Sequence, residues 1–223
     1  MLGPRPVVFE GIRSTRREHA VATSRRTQAE RRADTEAKLI EATIRSIVEI
    51  GYGRTTVKEI CRRAGISHGG LFGRFETLFD LVVAAAVEVG RRQIESFTTG
   101  LARLADPEDL GAVLELLRDN ARKPINVVWI ELTIAARTDP VLRAKLAPVR
   151  TEYGVAIAAA AERIPVLRSI PAEVVPYLGA IVLQRFDGDA IADAAYPEPE
   201  HDGPSLRVFT AVLHGYLQSV SGP

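Results

Sequence analysis

From residue 27 onward this chain is punctuated as helix, again and again, and no segment carries the two-residue alternation of a strand. Thr27-Gln28-Ala29-Glu30 has the form of a capping box. Behind it Leu39, Ile40, Thr43, Ile44, Ile47 and Val48 recur at helical spacing until Gly51, a C-cap. Thr56-Val57-Lys58-Glu59 is a second box, opening a short helix that buries Val57, Ile60, Cys61 and Ala64 and stops at Gly65. Ser67 caps a third helix with Leu71 and Phe75 as its inner pair, and Thr77 opens a fourth that carries the apolar run 81–89. Farther on, Asp106-Pro107, Lys123-Pro124 and Asp139-Pro140 each place proline in a first turn. Further helices are expected over 174–195, after Pro171, and over 206–220, after Pro204. The long helix that begins at Pro140 is expected to run to about Arg163 unless the internal Pro148 kinks it. About nine helices follow, and the expected fold is all-α.

Composition agrees with an ordinary globular protein: 46% of the 223 residues are hydrophobic and 26% charged. No uninterrupted apolar run reaches the length of a membrane span, and the first residues lack the apolar centre of a secretory signal, so the expectation is a cytoplasmic protein with no membrane partner. The single cysteine, Cys61, has no internal disulfide partner and reads as a small buried hydrophobe. The net charge of +1 hides an asymmetry. Residues 1–80 hold 15 Lys/Arg against 10 Asp/Glu, whereas residues 81–223 hold 14 against 18. The basic excess sits in the first 32 residues, with eight arginines against three glutamates, either as a solvated tail or as an arm that meets phosphates. The chain therefore divides into a basic flexible arm over 1–26, a compact helical unit over 27–80 and a larger helical unit over 81–223.

Two short helices joined by Gly65-Ile66-Ser67 have the spacing of a helix-turn-helix, in which the second helix enters the major groove. Such pairs also occur as plain packing units. The residues narrow the choice. Gly51, Thr55-Thr56-Val57, Ala64-Gly65-Ile66-Ser67, Gly69-Gly70-Leu71-Phe72 and Phe75 follow one another in an order that resembles the DNA-binding region of TetR family transcriptional regulators, over Ala42 to Val87. The remainder is similar to the family more loosely, through an all-helical half that in relatives binds small effectors and dimerises through its last two helices.

The resemblance implies that His68, Gly69, Phe72 and Arg74 face the groove, with Thr56 and Ser67 capping helices whose first amides meet phosphates. Arg31 and Arg32, just past the arm, join this set as phosphate contacts. Two departures matter. Phe72 lacks the hydroxyl that relatives often place there, and Leu78 lacks their lysine. Gly69, Gly70 and Gly73 further weaken the recognition helix, each by about 1 kcal/mol relative to alanine. Direct base reading is thus expected from His68 and Arg74, an arginine suiting a guanine edge, with a solvent-facing role as the alternative for each. Removal of residues 1–25 is expected to weaken binding to all sequences and flatten its salt dependence.

Along the whole chain no catalytic constellation forms: His19, His68, His201 and His214 are scattered, and no cofactor is implied. Asp187-Gly188-Asp189 with Asp193 lacks the other ligands of a calcium loop and reads as a solvated helix face. The expectation is a non-enzymatic protein with an apolar cavity among its central helices. Trp129, Thr133, Tyr153, Tyr177 and Gln184 are the candidate lining, with ordinary packing or exposure as the alternative. Val175, Leu178, Ile181 and Val182, with Phe209, Val212, Leu213 and Tyr216, form apolar faces for either a four-helix contact between two chains or an internal core. The function expected is a ligand-responsive repressor that binds a palindromic double-stranded operator as a homodimer and releases it when a small-molecule effector binds. The alternative is a helical small-molecule-binding or scaffold protein with weakened DNA binding.

Overall fold

Capping chemistry sets the helix starts. In the computed structural model, which describes residues 27–220, helix α1 spans Gln28–Ile50 and opens on a complete capping box between Thr27 and Glu30. The arm of residues 1–26, expected to meet phosphates or solvent, lies outside the described residues. Helix α1 ends at Gly51, whose φ of 84° is open to glycine and costly for other residues. Then come α2 over Val57–Ala64, α3 over His68–Phe72 and α4 over Leu78–Leu101, with Gly65 in the left-handed region (φ 66°) making the turn between α2 and α3. The larger half holds α5 over Leu110–Ala121, α6 over Val127–Ala136, α7 over Pro140–Ala161, α8 over Val175–Ala195 and α9 over Pro199–Val220. Among the described residues the chain is all-α, with nine α-helices, three short 3-10 turns and no strand.

Several starts differ from the sequence expectation. At Thr56 only half the box forms: its Oγ1 accepts from the Glu59 amide at 3.2 Å, but the Glu59 carboxylate turns to Arg62 and Arg63 instead. Asp106-Pro107 makes a turn, not a helix start, because Asp109 is the residue whose carboxylate caps α5, through the Gly111 amide at 2.8 Å. Pro124 opens a 3-10 turn, Pro124–Asn126, ahead of α6. Helix α9 begins at Pro199, five residues before Pro204, since a proline at the first position gives up no intrahelical bond. Pro204 and Pro148 both sit within helices; the carbonyls they orphan, on Glu200 and Ala144, belong to exposed residues and are free to meet water.

Helix α4 is the spine and packs against α1, α5 and α7. Near its start Leu39, Ala42, Ile60, Cys61, Leu71, Phe75 and Leu81 close a small core around the helix-turn-helix, with Ile66 and Leu78 packed on it. Cys61 is a buried free thiol here, as its position implied. Leu78 thus spends its side chain on packing. The other face of α1 carries Ile44 and Ile47 into a second core with Val82, Val89, Val128, Trp129 and Leu132. Residue 80 is accordingly no gap between two bodies: α1 belongs to both cores, and α4 runs through the boundary. On α8 and α9, Leu178, Val182 and Leu213 close an internal core with α5, so these three do not belong to an outward face. Ile181, Val212 and Tyr216 remain exposed, in company with Tyr177 and Val208.

Candidate nucleic-acid interface and ligand cavity

Helix α3 has too few residues to be stable through its own hydrogen bonds and is held by its surroundings. Leu71, fully buried, anchors it, and Ser67 caps it by accepting from the Gly70 amide at 3.1 Å. Ser67, His68, Gly69 and Phe72 are all exposed, and 68 and 72, four apart, share one side of the helix. Phe72 is 50% exposed, an unusual place for an apolar ring unless something covers it. Thr56 is exposed at the start of α2, and Arg31 and Arg32 are exposed near the start of α1, ahead of its first buried residue, Leu39.

Arg74 stands differently. It follows α3, its Nε is buried without a partner, and its Nη1 donates to the Gly73 carbonyl at 3.1 Å. That guanidinium is folded onto its own backbone and leaves His68 and Phe72 as the side chains that project from the helix itself. Nearby cations are also engaged: Glu59 binds Arg62 through two contacts of 2.9 and 2.6 Å and Arg63 at 2.6 Å, while Arg63 also reaches Glu49 at 2.5 Å. The two guanidinium groups, Arg62 first, hold the Glu59 carboxyl at about 2. Lys58 is exposed on α2, an available cation that the sequence reading missed.

Between α7 and α8, which do not pack closely together, a cavity of about 1020 Å³ opens over a floor from α4, α5 and α6. Its size suits a drug-sized molecule. A smaller apolar lobe of about 110 Å³ continues beneath it, past Phe97, Val113 and Leu114. Of the expected lining residues, Trp129, Thr133, Tyr153 and Gln184 border the cavity together. Tyr177 does not. At 74% exposed it lies on the other side of α8 from Val175, Gly179 and Leu183, because those lining positions recur at helical spacing and 177 falls off their face.

The rings of Trp129 and Tyr153 stack, with centroids 5.4 Å apart and planes 14° from parallel. Behind them runs a chain of polar groups that sequence reasoning missed. Tyr153 donates its hydroxyl to Gln93 Oε1 at 2.9 Å, Gln93 Nε2 donates to Asn126 Oδ1, and Asn126 Nδ2 donates to Asp187 Oδ1 at 3.0 Å. Gln93 and Asn126 are buried. Burial foremost, then the Asp187 charge, raises the Tyr153 hydroxyl to about 12, so this chain stays protonated at its start throughout the neutral range.

Helix α6 joins the two sites. Ile130, Thr133 and Ile134 border the cavity, whereas the Glu131 carboxylate accepts from the Tyr52 amide, just past the end of α1. Lys145 of α7 meets Asp80 at 2.5 Å in the first turn of α4, and Arg92 of α4 meets Glu41 of α1 at 2.8 Å. Lys145, with Thr77, holds the Asp80 carboxyl below its ordinary value.

Comparison with known proteins agrees with this arrangement. A family model described as bacterial regulatory proteins, tetR family, matches residues 39–88. An uncharacterised HTH-type transcriptional regulator of Mycobacterium tuberculosis is 42% identical over 189 residues, covering 84% of this chain and 97% of that protein. Among solved structures, a transcriptional regulator from Rhodococcus sp. Rha1 superposes with a TM-score of 0.66 at 23% identity, over 84% of this chain and 98% of that one. The multidrug binding protein EbrR, complexed with imidazole, superposes with a TM-score of 0.58 at 22% identity, over 79% and 93%. No helix among the described residues is long and apolar enough to cross a membrane.

Proposed function

The chain belongs to the tetR family of DNA-binding transcriptional regulators, and from that premise we propose that it is a ligand-responsive repressor acting as a homodimer on a palindromic operator. The observation that carries the reading is α6, which borders a cavity of about 1020 Å³ on one face and holds the end of α1 through Glu131 on another. A molecule that fits the cavity better in one setting of α6 shifts the population of helix-turn-helix orientations, and so changes DNA affinity by that difference in binding. EbrR, which shares the fold, is a multidrug binding protein complexed with imidazole, in keeping with a small molecule here.

Ser67, His68, Gly69 and Phe72 form the groove-facing surface, with Thr56 at the start of α2 and Arg31 and Arg32 as phosphate contacts. Dimerisation follows from the contact set: one α3 reaches only a few base pairs, and two copies double the bases read. The exposed Tyr177, Ile181, Val208, Val212 and Tyr216 give α8 and α9 an apolar strip suited to a second copy. One observation supports the second reading, a helical binding protein with weakened DNA affinity: Arg74, one of two expected base readers, donates to the Gly73 carbonyl instead of projecting from α3. Gel-shift titration of the full chain against DNA upstream of its own coding sequence decides between them. A repressor shifts that DNA well below the concentration needed for random duplex; a binding protein with a dead reader shifts both alike.

A further inference from the structure

The polar chain in the cavity has a direction. Each donor points toward Asp187: Tyr153 to Gln93, Gln93 to Asn126, Asn126 to Asp187. With its proton committed inward, the Tyr153 oxygen has only lone pairs left to offer, and Asp187, when ionised, is an acceptor alone. The face formed by these groups therefore calls for a molecule that donates hydrogen bonds or carries positive charge.

Charge bookkeeping along α8 sharpens this. The helix has three carboxylates in its second half, and two are neutralised: Asp189 by Arg185 one turn before it, and Asp193 by Arg122 at the end of α5, which also holds Asp202. Asp187 has only the neutral Asn126 amide and makes no ion pair among the described residues. It borders the cavity together with the stacked Trp129 and Tyr153, whose ring faces attract a cation through their quadrupoles. Arg150, Glu162 and Arg168 also edge the cavity and, like Asp187, are solvent-exposed, but they belong to α7 and the turn after it and stand outside the hydrogen-bonded chain.

We propose that the effector is an organic cation with an apolar, ring-containing body, its charge set against Asp187 and its rings against the Trp129 and Tyr153 pair. The proposal rests on the reading of the cavity as an effector site and gives that site a ligand class. Trp129 is the only tryptophan of the chain and borders the cavity, so its fluorescence reports occupancy directly.

Two probes of the same shape and opposite charge, tetraphenylphosphonium and tetraphenylborate, are titrated into the full-length protein while Trp129 emission is followed. The phosphonium is expected to give a saturable change, and Asp187→Asn, which keeps an acceptor for Asn126, to weaken it roughly tenfold while strengthening any borate response. Gly179→Phe, which fills the cavity from a position with open space around its Cβ, is expected to abolish the response to both. Thermal melts of both variants establish that they are folded. Binding of borate alone would overturn the cation assignment and leave the effector site standing. Equal phosphonium affinity in wild type and Asp187→Asn would overturn the role of Asp187. No saturable change with either probe would overturn both readings.

Discussion

Gly69 and Gly70 are identical neighbours in different situations, and alanine at each should tell them apart. A Cβ on Gly69 meets nothing within 4 Å, so Gly69→Ala is expected to stabilise the protein by up to about 1 kcal/mol through helix propensity. On Gly70 the same carbon lies 2.8 Å from the Ile66 Cγ2, in the turn that locks α2 to α3, so Gly70→Ala should lower the melting temperature. Differential scanning calorimetry of the two variants checks the contrast; equal shifts would contradict it. The carboxylates supply a second residue-scale test. Glu59 and Glu88, each bound to two arginines, are held at about 2, below the ordinary glutamate value. A depressed native value means that the unfolded chain binds more protons, so stability is fully present above the ordinary value and falls as pH drops toward 2. Melting temperatures taken between pH 5 and 2 should decline across that window, and the decline should shrink in Glu59→Gln. At this scale the sequence was informative where chemistry is local: Thr27, Thr56, Ser67 and Thr77 all cap helices, as their spacing implied. It was silent on the setting of Arg74, whose partial burial depends on the path of the chain after α3.

At the scale of elements, α6 matters most, and its composition explains why. It is apolar around nearly its whole circumference because one side closes the central core through Val128 and Leu132 while another borders the cavity through Ile130 and Ile134. Its one carboxylate, Glu131, ties it to Tyr52. Glu131→Ala is expected to leave that amide without its partner, destabilise the protein by about 1–3 kcal/mol, and blunt the effect of a cavity ligand on DNA affinity. Thermal melts and gel shifts with and without ligand measure both; a full ligand response in this variant would remove Glu131 from the coupling. The polar chain was legible in principle. Val89, Gln93 and Phe97 occupy one face of α4 at four-residue intervals, so a glutamine sits in core register, which signals a buried hydrogen-bonding partner. Proline proved a weaker guide: Pro107 precedes its helix by three residues and Pro204 lies inside one, since its ring forbids few positions near an exposed helix start.

For the whole molecule, the fold class and a cavity among the central helices followed from the sequence, whereas the place of that cavity did not, because it depends on α7 and α8 standing apart. Which apolar residues of α8 and α9 face inward was likewise hidden: Leu178 and Ile181 look alike in sequence, yet one packs on α5 and the other is 57% exposed. The proposed dimer predicts that Ile181→Glu with Val212→Glu yields folded monomers in sedimentation experiments and loses most affinity for operator DNA; an unchanged molecular mass would place the second copy elsewhere. The central claim is that this chain reads DNA as a symmetric pair under the control of its cavity. Selection of bound sequences from random duplex by the full-length protein tests it most directly. The expected result is an enriched palindrome whose half-sites fall on one face of the duplex, with affinity that a cavity-binding molecule lowers. Recovery of no enriched sequence, or of a single asymmetric site indifferent to such a molecule, would contradict it.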